Sequence, residues 1–224
     1  YVEIANRNAK FLLSRLRSGD RLLRTHKDGQ AKLNGYLEDY AFLVDGLLAL
    51  HEATFAQEWL REAIDLARTM VDLFWDEESG QFYDTGRDHE TLIVRPRDVT
   101  DSAIPSGGAM AADVLLRLAV VTGDVDLKRI AVAALRSGGA VMTGLPRGAG
   151  HWLCALDFHL SAPREIVIVG DQSEPETQAL AAEVFRHYLP NRVLVGVSDG
   201  EAQRVESPLL RARERIGGRP TAYV

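Results

Sequence analysis

Glu38 and Asp39 stand side by side in "LNGYLEDYAFLVDGLLALHEAT", between Tyr36 and Tyr40 and ahead of a strongly apolar run. Paired carboxylates are what glycosidic and sugar-isomerising reactions need, one as proton donor and one as base. Neighbours on a helix point about 100° apart, so these two are not expected to face one substrate together. A working pair joins one of them to an acid from another part of the chain, and Asp39 is expected to face the cleft while Glu38 holds a loop or the helix end. The plainer reading is that both acids complement the positive end of a helix. Glu38, Asp45 and Glu52 recur every seven residues and mark a narrow polar stripe on that helix.

The third acid comes from "RPRDVTDSAIPSGGAM", where Asp98 and Asp101 precede a helix and Ser106, Gly107 and Gly108 open it. Free N–H groups in such a first turn can hold an anion or a sugar oxygen. Alternatively, Ser106 caps the helix and the glycines allow close packing. Tyr40, Trp75 and Tyr83 are candidates for a sugar-stacking platform, within an aromatic set that also includes Tyr36, Phe82 and Trp152; core packing is the competing role. Asp39, Glu38 and Asp101 are therefore the acid–base candidates, and Tyr40, Trp75, Tyr83 and Ser106 the substrate contacts. His51, His151 and His159 lack metal-ligand spacing, since "HEATF" is not H-E-x-x-H. Neither a metal nor a cofactor is expected. Cys154 has no C-x-x-C partner, and its apolar helix predicts buried packing. "IVIVGD" lacks G-x-G-x-x-G, so a nucleotide would bind only if the strand ends near Gly170 and Gly196 opened onto a crevice. No G-x-S-x-G nucleophile elbow occurs.

The elements that must position these groups follow from periodicity. Helices are predicted over about 2–17, 36–53, 57–75, 105–121, 125–136 and 151–160. Asp28-Gly29 signals a hairpin in the first connection. The stretch from Asp76 to about Ile104 is a long loop, with turn and strand character in "EESGQFYDTG" and extended chain in "TLIVRPRD"; loops of this length are often functional. "SGGAVMTGLPRGAG" reads as a Gly-rich connection. Beyond Pro163 the pattern changes: "REIVIVGD" and "NRVLVGV" are buried strands flanking a helix opened by a Ser173–Glu176 capping box. That makes a parallel βαβ unit, with "TAYV" as a third strand. The helices alternate between amphipathic (near Val2, Gln57 and Val125) and apolar all round (near Tyr36, Pro105 and His151). This is the pattern of helical hairpins in two layers, with the inner helices starting at one common end.

The 224 residues carry a formal net charge of −6, with 46% apolar and 26% charged side chains. Such a balance argues against a nucleic-acid surface, which would show a basic patch; the most basic stretch, Arg204–Arg219, is broken by Glu206 and Glu214 and reads as solvated surface. One cysteine fits a reducing, cytosolic compartment. No apolar run of ~20 residues is present, so no membrane span is expected. A start at Tyr1 inside a helical pattern and an end at "TAYV" are expected of a piece of a longer protein.

"GYLEDYAFLVDGLL", "LFWDEESGQFY", "RPRDVTDSAIPSGGAM", "REIVIVGD", "LPNRVLV" and "TAYV", in this order, resemble the C-terminal half of the spermatogenesis-associated protein 20 family, whose bacterial members are described as thioredoxin-domain-containing. The resemblance covers nearly the whole chain. It implies an N-terminal thioredoxin-like domain and half of a helical toroid outside this sequence, the toroid being similar to six-hairpin glycosidases and sugar 2-epimerases. The family tends to have Asn where this chain has Gly108, and its last strand usually runs into a cysteine beyond "TAYV". The expected architecture is mainly α: a partial (α/α) toroid of three hairpins over 1–162, followed by a small βαβ unit over 163–224. The expected function is that of a carbohydrate-active domain, hydrolase- or epimerase-like, with a small carbohydrate as substrate; the alternative is a non-catalytic scaffold or client-recognition module for a thioredoxin-like domain. Carboxylates from two hairpins converging on one cleft would favour the first. Half a toroid would also expose apolar helix sides and is expected to self-associate.

Overall fold

A computed structural model describes residues 1–90, 93–198 and 207–224. It is a helix-rich mixed structure with three small sheets among the described residues. Helix α1 (Val2–Arg15) leads through strand β1 (Arg17–Ser18) into the hairpin β2 (Arg21–Lys27) and β3 (Gln30–Asn34). The two turn residues of that hairpin, Asp28 and Gly29, have φ of 52° and 75°, the left-handed pair required by a turn that matches strand twist.

Helices α2 (Leu37–Thr54), α4 (Gly107–Thr122) and α7 (Gly150–Leu160) pack side by side, α2 on α4 and α4 on α7. Helix α3 (Gln57–Phe74) lies against α2, and α5 (Val125–Ser137) against α4. The alternation read from the sequence has this cause: α3 and α5 bury one face, whereas α4 is buried nearly all round, from Ala109 through Leu118 to Val121. The turn between α4 and α5 is minimal. Gly123 ends α4 at φ 70°, and the Asp124 side chain accepts the Asp126 and Leu127 N–H groups to begin α5.

The starts of α2, α4 and α7 are gathered together. A Cβ on Gly107, the first residue of α4, would lie 3.2 Å from the Glu38 amide nitrogen in the first turn of α2. Asp101 bridges the other two starts: Oδ1 accepts the Ser106 N–H at 2.8 Å and Oδ2 the His151 N–H at 2.6 Å. Both glycines of "PSGG" allow close approach: a Cβ on Gly107 would also meet Leu37 at 3.2 Å, and one on Gly108 the Trp152 ring at 3.1 Å.

The last part holds strand β6 (Arg164–Val169), helix α8 (Pro175–Arg186) and strand β7 (Arg192–Val197), with β7 parallel to β6; β8 (Thr221–Tyr223) pairs antiparallel on the other edge of β6. This matches the expected βαβ unit and third strand. Gln57 donates to the Gly196 carbonyl at 2.7 Å, and the Phe55 ring occupies the space that a side chain at Gly196 would need. Thr177 fills the same space at Gly170. Among the described residues, Phe55 and Thr177 occupy the space beside these two glycines, which does not favour the nucleotide reading.

Three local expectations are corrected. Ser173 and Glu176 form no capping box: α8 begins with Pro175 after Glu174, and the Ser173 hydroxyl donates to Asp171 instead. Pro at the first helical position needs no N–H partner, which moves the start by a residue. The Gly-rich connection contains a short helix, α6 (Gly139–Gly144), and a 3₁₀ turn over Pro146–Gly148. Within the basic stretch, residues 204–206 lie outside the described residues. Arg215 is not solvated surface but is bound by Glu174 at 2.7 and 3.0 Å.

Candidate functional site

The long connection after α3 is folded back and tied down at many points. Strands β4 (Trp75–Asp76) and β5 (Gln81–Phe82) pair, and the chain then reaches Asp84. The Asp84 carbonyl accepts the Leu37 N–H at the start of α2, its N–H donates to Pro96 at 3.0 Å, and its Oδ2 accepts the Asp98 N–H at 2.7 Å. Arg97 donates to the Ser137 hydroxyl and Trp152 Nε1 to the Val99 carbonyl. These ties hold the connection across the gathered helix starts.

A cavity of about 480 Å³ results, lined by Arg24, Tyr36, Glu38, Asp84, Asp98 and Ser106 among others. Its volume falls in the range of small-molecule sites. Three carboxylates from separate segments reach it. Asp84 is held above the usual carboxylate range, chiefly by burial and further by the charges of Asp98 and Glu38, against the opposing pull of the Asp98 N–H. Asp98 Oδ1 accepts the Thr100 N–H and hydroxyl. Glu38 is bound by Arg24 at 2.8 Å, and the same guanidinium binds Asp39 at 2.8 Å. It also lies 4.5 Å from the Tyr36 ring centre. Adjacent helical acids thus meet one cation, which the 100° argument did not anticipate: Arg24 reaches in from the hairpin and donates Nη1 to Asp39 and Nη2 to Glu38.

The other expected site residues are placed as follows. Asp39 holds the helix end, its Oδ2 accepting the Tyr36 N–H at 2.8 Å, so the expected division between it and Glu38 is exchanged. Asp101 has both oxygens on backbone amides and does not line the cleft. Tyr40 is fully buried, its hydroxyl accepting the Leu22 N–H at 2.7 Å. Trp75 is buried edge-on to Phe82 and donates to Glu77. Tyr83 lies outside the cleft lining under the Arg95 guanidinium, 4.4 Å away. None of the three lines this cleft, where the aromatic ring is Tyr36. Ser106 both caps α4, accepting the Ala109 N–H at 3.4 Å, and lines the cleft. The sequence reading missed Asp84 and Arg24. The signal for Asp84 was an acid immediately after "QFY" inside the loop already marked as functional.

A second polar cluster runs along α2, α4 and α7. Arg117 is bound by Asp45 and, at 3.3 Å, by Asp113, which also meets His151; Glu52 pairs with Arg192 at 3.0 Å. The heptad stripe therefore divides, Glu38 going to the cleft and Asp45 and Glu52 to this network. Burial raises Glu52 even beside Arg192. Burial works the same way on Asp113, but His151 and Arg117 outweigh it and hold the carboxyl low. Cys154 borders this cluster and is exposed, not buried as expected, because α7 has no neighbour on that face among the described residues. Among the described residues no His, Cys, Asp and Glu group could hold a metal ion, and no helix is long and apolar enough to cross a membrane.

Comparison with known proteins places the chain within a group of much longer relatives. It is homologous to spermatogenesis-associated protein 20, as the six motifs indicated. It is 36% identical to the human protein over 194 residues, covering 85% of this chain, and 35% identical to the mouse protein over 197 residues. An uncharacterised Caenorhabditis elegans protein is 24% identical over 198 residues. The chain spans about a quarter of the length of these relatives, 25% of the human protein and 27% of the nematode one. No family model matches the chain.

Proposed function

We propose that the cleft is an acid–base site for a small carbohydrate, in a hydrolase- or epimerase-like domain. The observation that carries this reading is the convergence of Glu38, Asp84 and Asp98 on one cavity at the starts of the packed helices. Asp84 retains its proton to higher pH than an ordinary aspartate, which suits a proton donor. Glu38, in its ion pair with Arg24, supplies the carboxylate partner. Tyr36 offers a ring, and Thr85, Thr100, Ser102 and Ser106 line the cleft with hydroxyl-bearing side chains suited to hydrogen bonds with a polyol. The acid–base candidates change accordingly: Glu38 is kept, and Asp84 and Asp98 take the place of Asp39 and Asp101.

The same reading takes residues 1–162 as part of an (α/α) toroid, with α2, α4 and α7 inside and α1, α3 and α5 outside. Residues 163–224 then form the appended α/β unit. The gathered helix starts support it, and so does the order of packing. The remaining toroid segments and a thioredoxin-like domain belong to the longer protein, as the quarter-length match permits. Exposed Val2, Ile4 and Phe11 on α1 are the apolar side such a piece leaves open, and self-association through them is the consequence.

A scaffold role is the second reading. It is favoured by the purely structural use of Asp39, Asp101, Tyr40 and Trp75. A thermal-shift screen against sugars separates the two, run on the protein and on its Asp84→Asn and Glu38→Gln variants. The carbohydrate reading expects a response that either substitution removes. No response to any sugar, or one indifferent to both substitutions, leaves the scaffold.

A further inference from the structure

In the carboxylate cleft and in the polar cluster, the arginines are bound by acids. Arg24 holds Glu38 and Asp39, Arg117 holds Asp45 and Asp113, and Arg192 holds Glu52. A further cavity, of about 460 Å³, departs from this pattern. Helices α4, α5 and α7 build it together with β6 and residues 208–213. Lys128, His159 and Arg213 line it, and among the described residues none of these three side chains makes a hydrogen bond or an ion pair. Arg213 Nη1 is covered from solvent and has no acceptor, a costly state for a charged donor. The guanidinium is held in place all the same. It lies 5.3 Å from the Tyr223 ring centre, and the Tyr223 hydroxyl accepts the Glu214 N–H at 3.2 Å and donates to the Glu214 carbonyl at 2.6 Å. Helix ends do not account for the set. A base suits the last turn of α7, where His159 stands, but Lys128 is the fourth residue of α5, near its positive end. Glu165 is the one acid on the wall, so cations are in excess. Much of the remaining wall is apolar, with Val120, Phe158, Pro163 and Leu209.

We infer that this cavity binds a phosphate monoester, its phosphoryl group meeting Arg213, Lys128 and His159 and its organic part lying on the apolar wall. A guanidinium offers a fork of donors that matches phosphate oxygens, and a lysine adds a point charge. A monoester brings three acceptor oxygens and about −1.5 to −2 charges at neutral pH, which suits three bases from separate segments; a carboxylate brings two oxygens and one charge. A bare phosphate would leave most of the cavity unfilled, since sites for small organic molecules begin at about 300 Å³. Glu165 is free to accept from a hydroxyl of the organic part. The site shares no lining residue with the carboxylate cleft and does not rest on the carbohydrate reading.

The test is titration calorimetry on the protein with glycerol 3-phosphate, phenyl phosphate and inorganic phosphate, against glycerol and benzoate, at one ionic strength. The two esters are expected to bind, inorganic phosphate more weakly, and glycerol and benzoate at least about tenfold more weakly than their phosphates. Arg213→Gln is expected to weaken the esters at least about tenfold, the loss of a hydrogen bond to a charged group, and Lys128→Gln severalfold. Neither side chain has a hydrogen-bonded partner in the protein to lose, so folded variants are expected, which circular dichroism checks. No ester binding below about 10 mM overturns the proposal. Benzoate binding as tightly as phenyl phosphate refutes the phosphoryl group as the recognised part, and inorganic phosphate binding as tightly as the esters refutes the organic one. Ester binding that survives both Arg213→Gln and Lys128→Gln in folded protein refutes this cavity as the site.

Discussion

Asp101 is the residue whose removal the structure predicts most firmly. One oxygen accepts the Ser106 N–H at 2.8 Å and the other the His151 N–H at 2.6 Å, so one carboxylate staples the starts of α4 and α7. Both donors are helix-start amides, which have no intrahelical acceptor and carry the positive end of the helix dipole. A hydrogen bond to a charged group contributes about 1.5–3 kcal/mol. Asp101→Ala loses two and is expected to cost about 3–5 kcal/mol. For a chain of this size each kcal/mol moves the midpoint by roughly 2–4 °C, so a fall of about 10 °C is expected. Asp101→Asn keeps one acceptor and turns an NH₂ toward the other donor, so a cost of about 2 kcal/mol is expected. Urea denaturation with far-UV circular dichroism gives both values. If Asp101→Ala lies within about 0.5 kcal/mol of the parent, the staple is not what holds these helices together. If Asp101→Asn leaves stability unchanged but removes sugar binding or turnover, the acid–base role first read from the sequence is right and the structural one fails.

Asp84→Asn is expected to act with the opposite sign. Asp84 is raised in the folded state, so its contribution is fully present below the unfolded value of about 3.9 and is lost as pH rises through the folded one. Asparagine mimics the protonated form and can still accept the Asp98 N–H. The variant should therefore match the parent near pH 3.5 and exceed it at pH 7; a gap that shrinks with rising pH contradicts the burial argument. Asp113 is held low, so its stabilisation is present above about pH 4 and lost in acid; Asp113→Asn should cost stability at pH 7 and little at pH 2, as followed by thermal melts. Gly108→Asn pushes its Cβ onto Trp152 and is expected to cost about 1–3 kcal/mol. Adding Trp152→Phe should return part of that loss, and a purely additive double variant would show that the two positions do not compete for space.

The longer helices were legible because their apolar spacing is unambiguous, whereas the six-residue α6 was read as a connection. Local chemistry was legible where it depends only on neighbours, as at Asp28-Gly29 and at Ser106. It failed where a single stronger residue displaced the pattern: Pro175 sets the start of α8 and overrides the Ser173–Glu176 box. Cys154 shows a different limit. An apolar helix composition implies burial only if something covers the helix, and sequence patterning does not say whether a cover exists.

The site itself was half legible, for a reason that bears on how acids are read. Proximity to a helix start marked Glu38, Asp39 and Asp101 as interesting, but helix starts are also where unpaired amides demand acceptors. An acid placed there is a catalyst only if its oxygens are not taken by those amides. Asp101 has both taken, and Asp39 is held on the Tyr36 amide and on Arg24. Asp84 caps α2 with its backbone carbonyl, and of its side-chain oxygens Oδ2 accepts one amide, the Asp98 N–H, while the carboxyl faces two other acids in the cleft. That arrangement requires the connection to fold back so that residues 84, 96 and 98 meet, a contact that no periodicity encodes. The residue with the strongest claim to chemistry is therefore the one whose position depends most on tertiary structure. Its raised proton affinity follows chiefly from its burial there and further from the charges of Asp98 and Glu38.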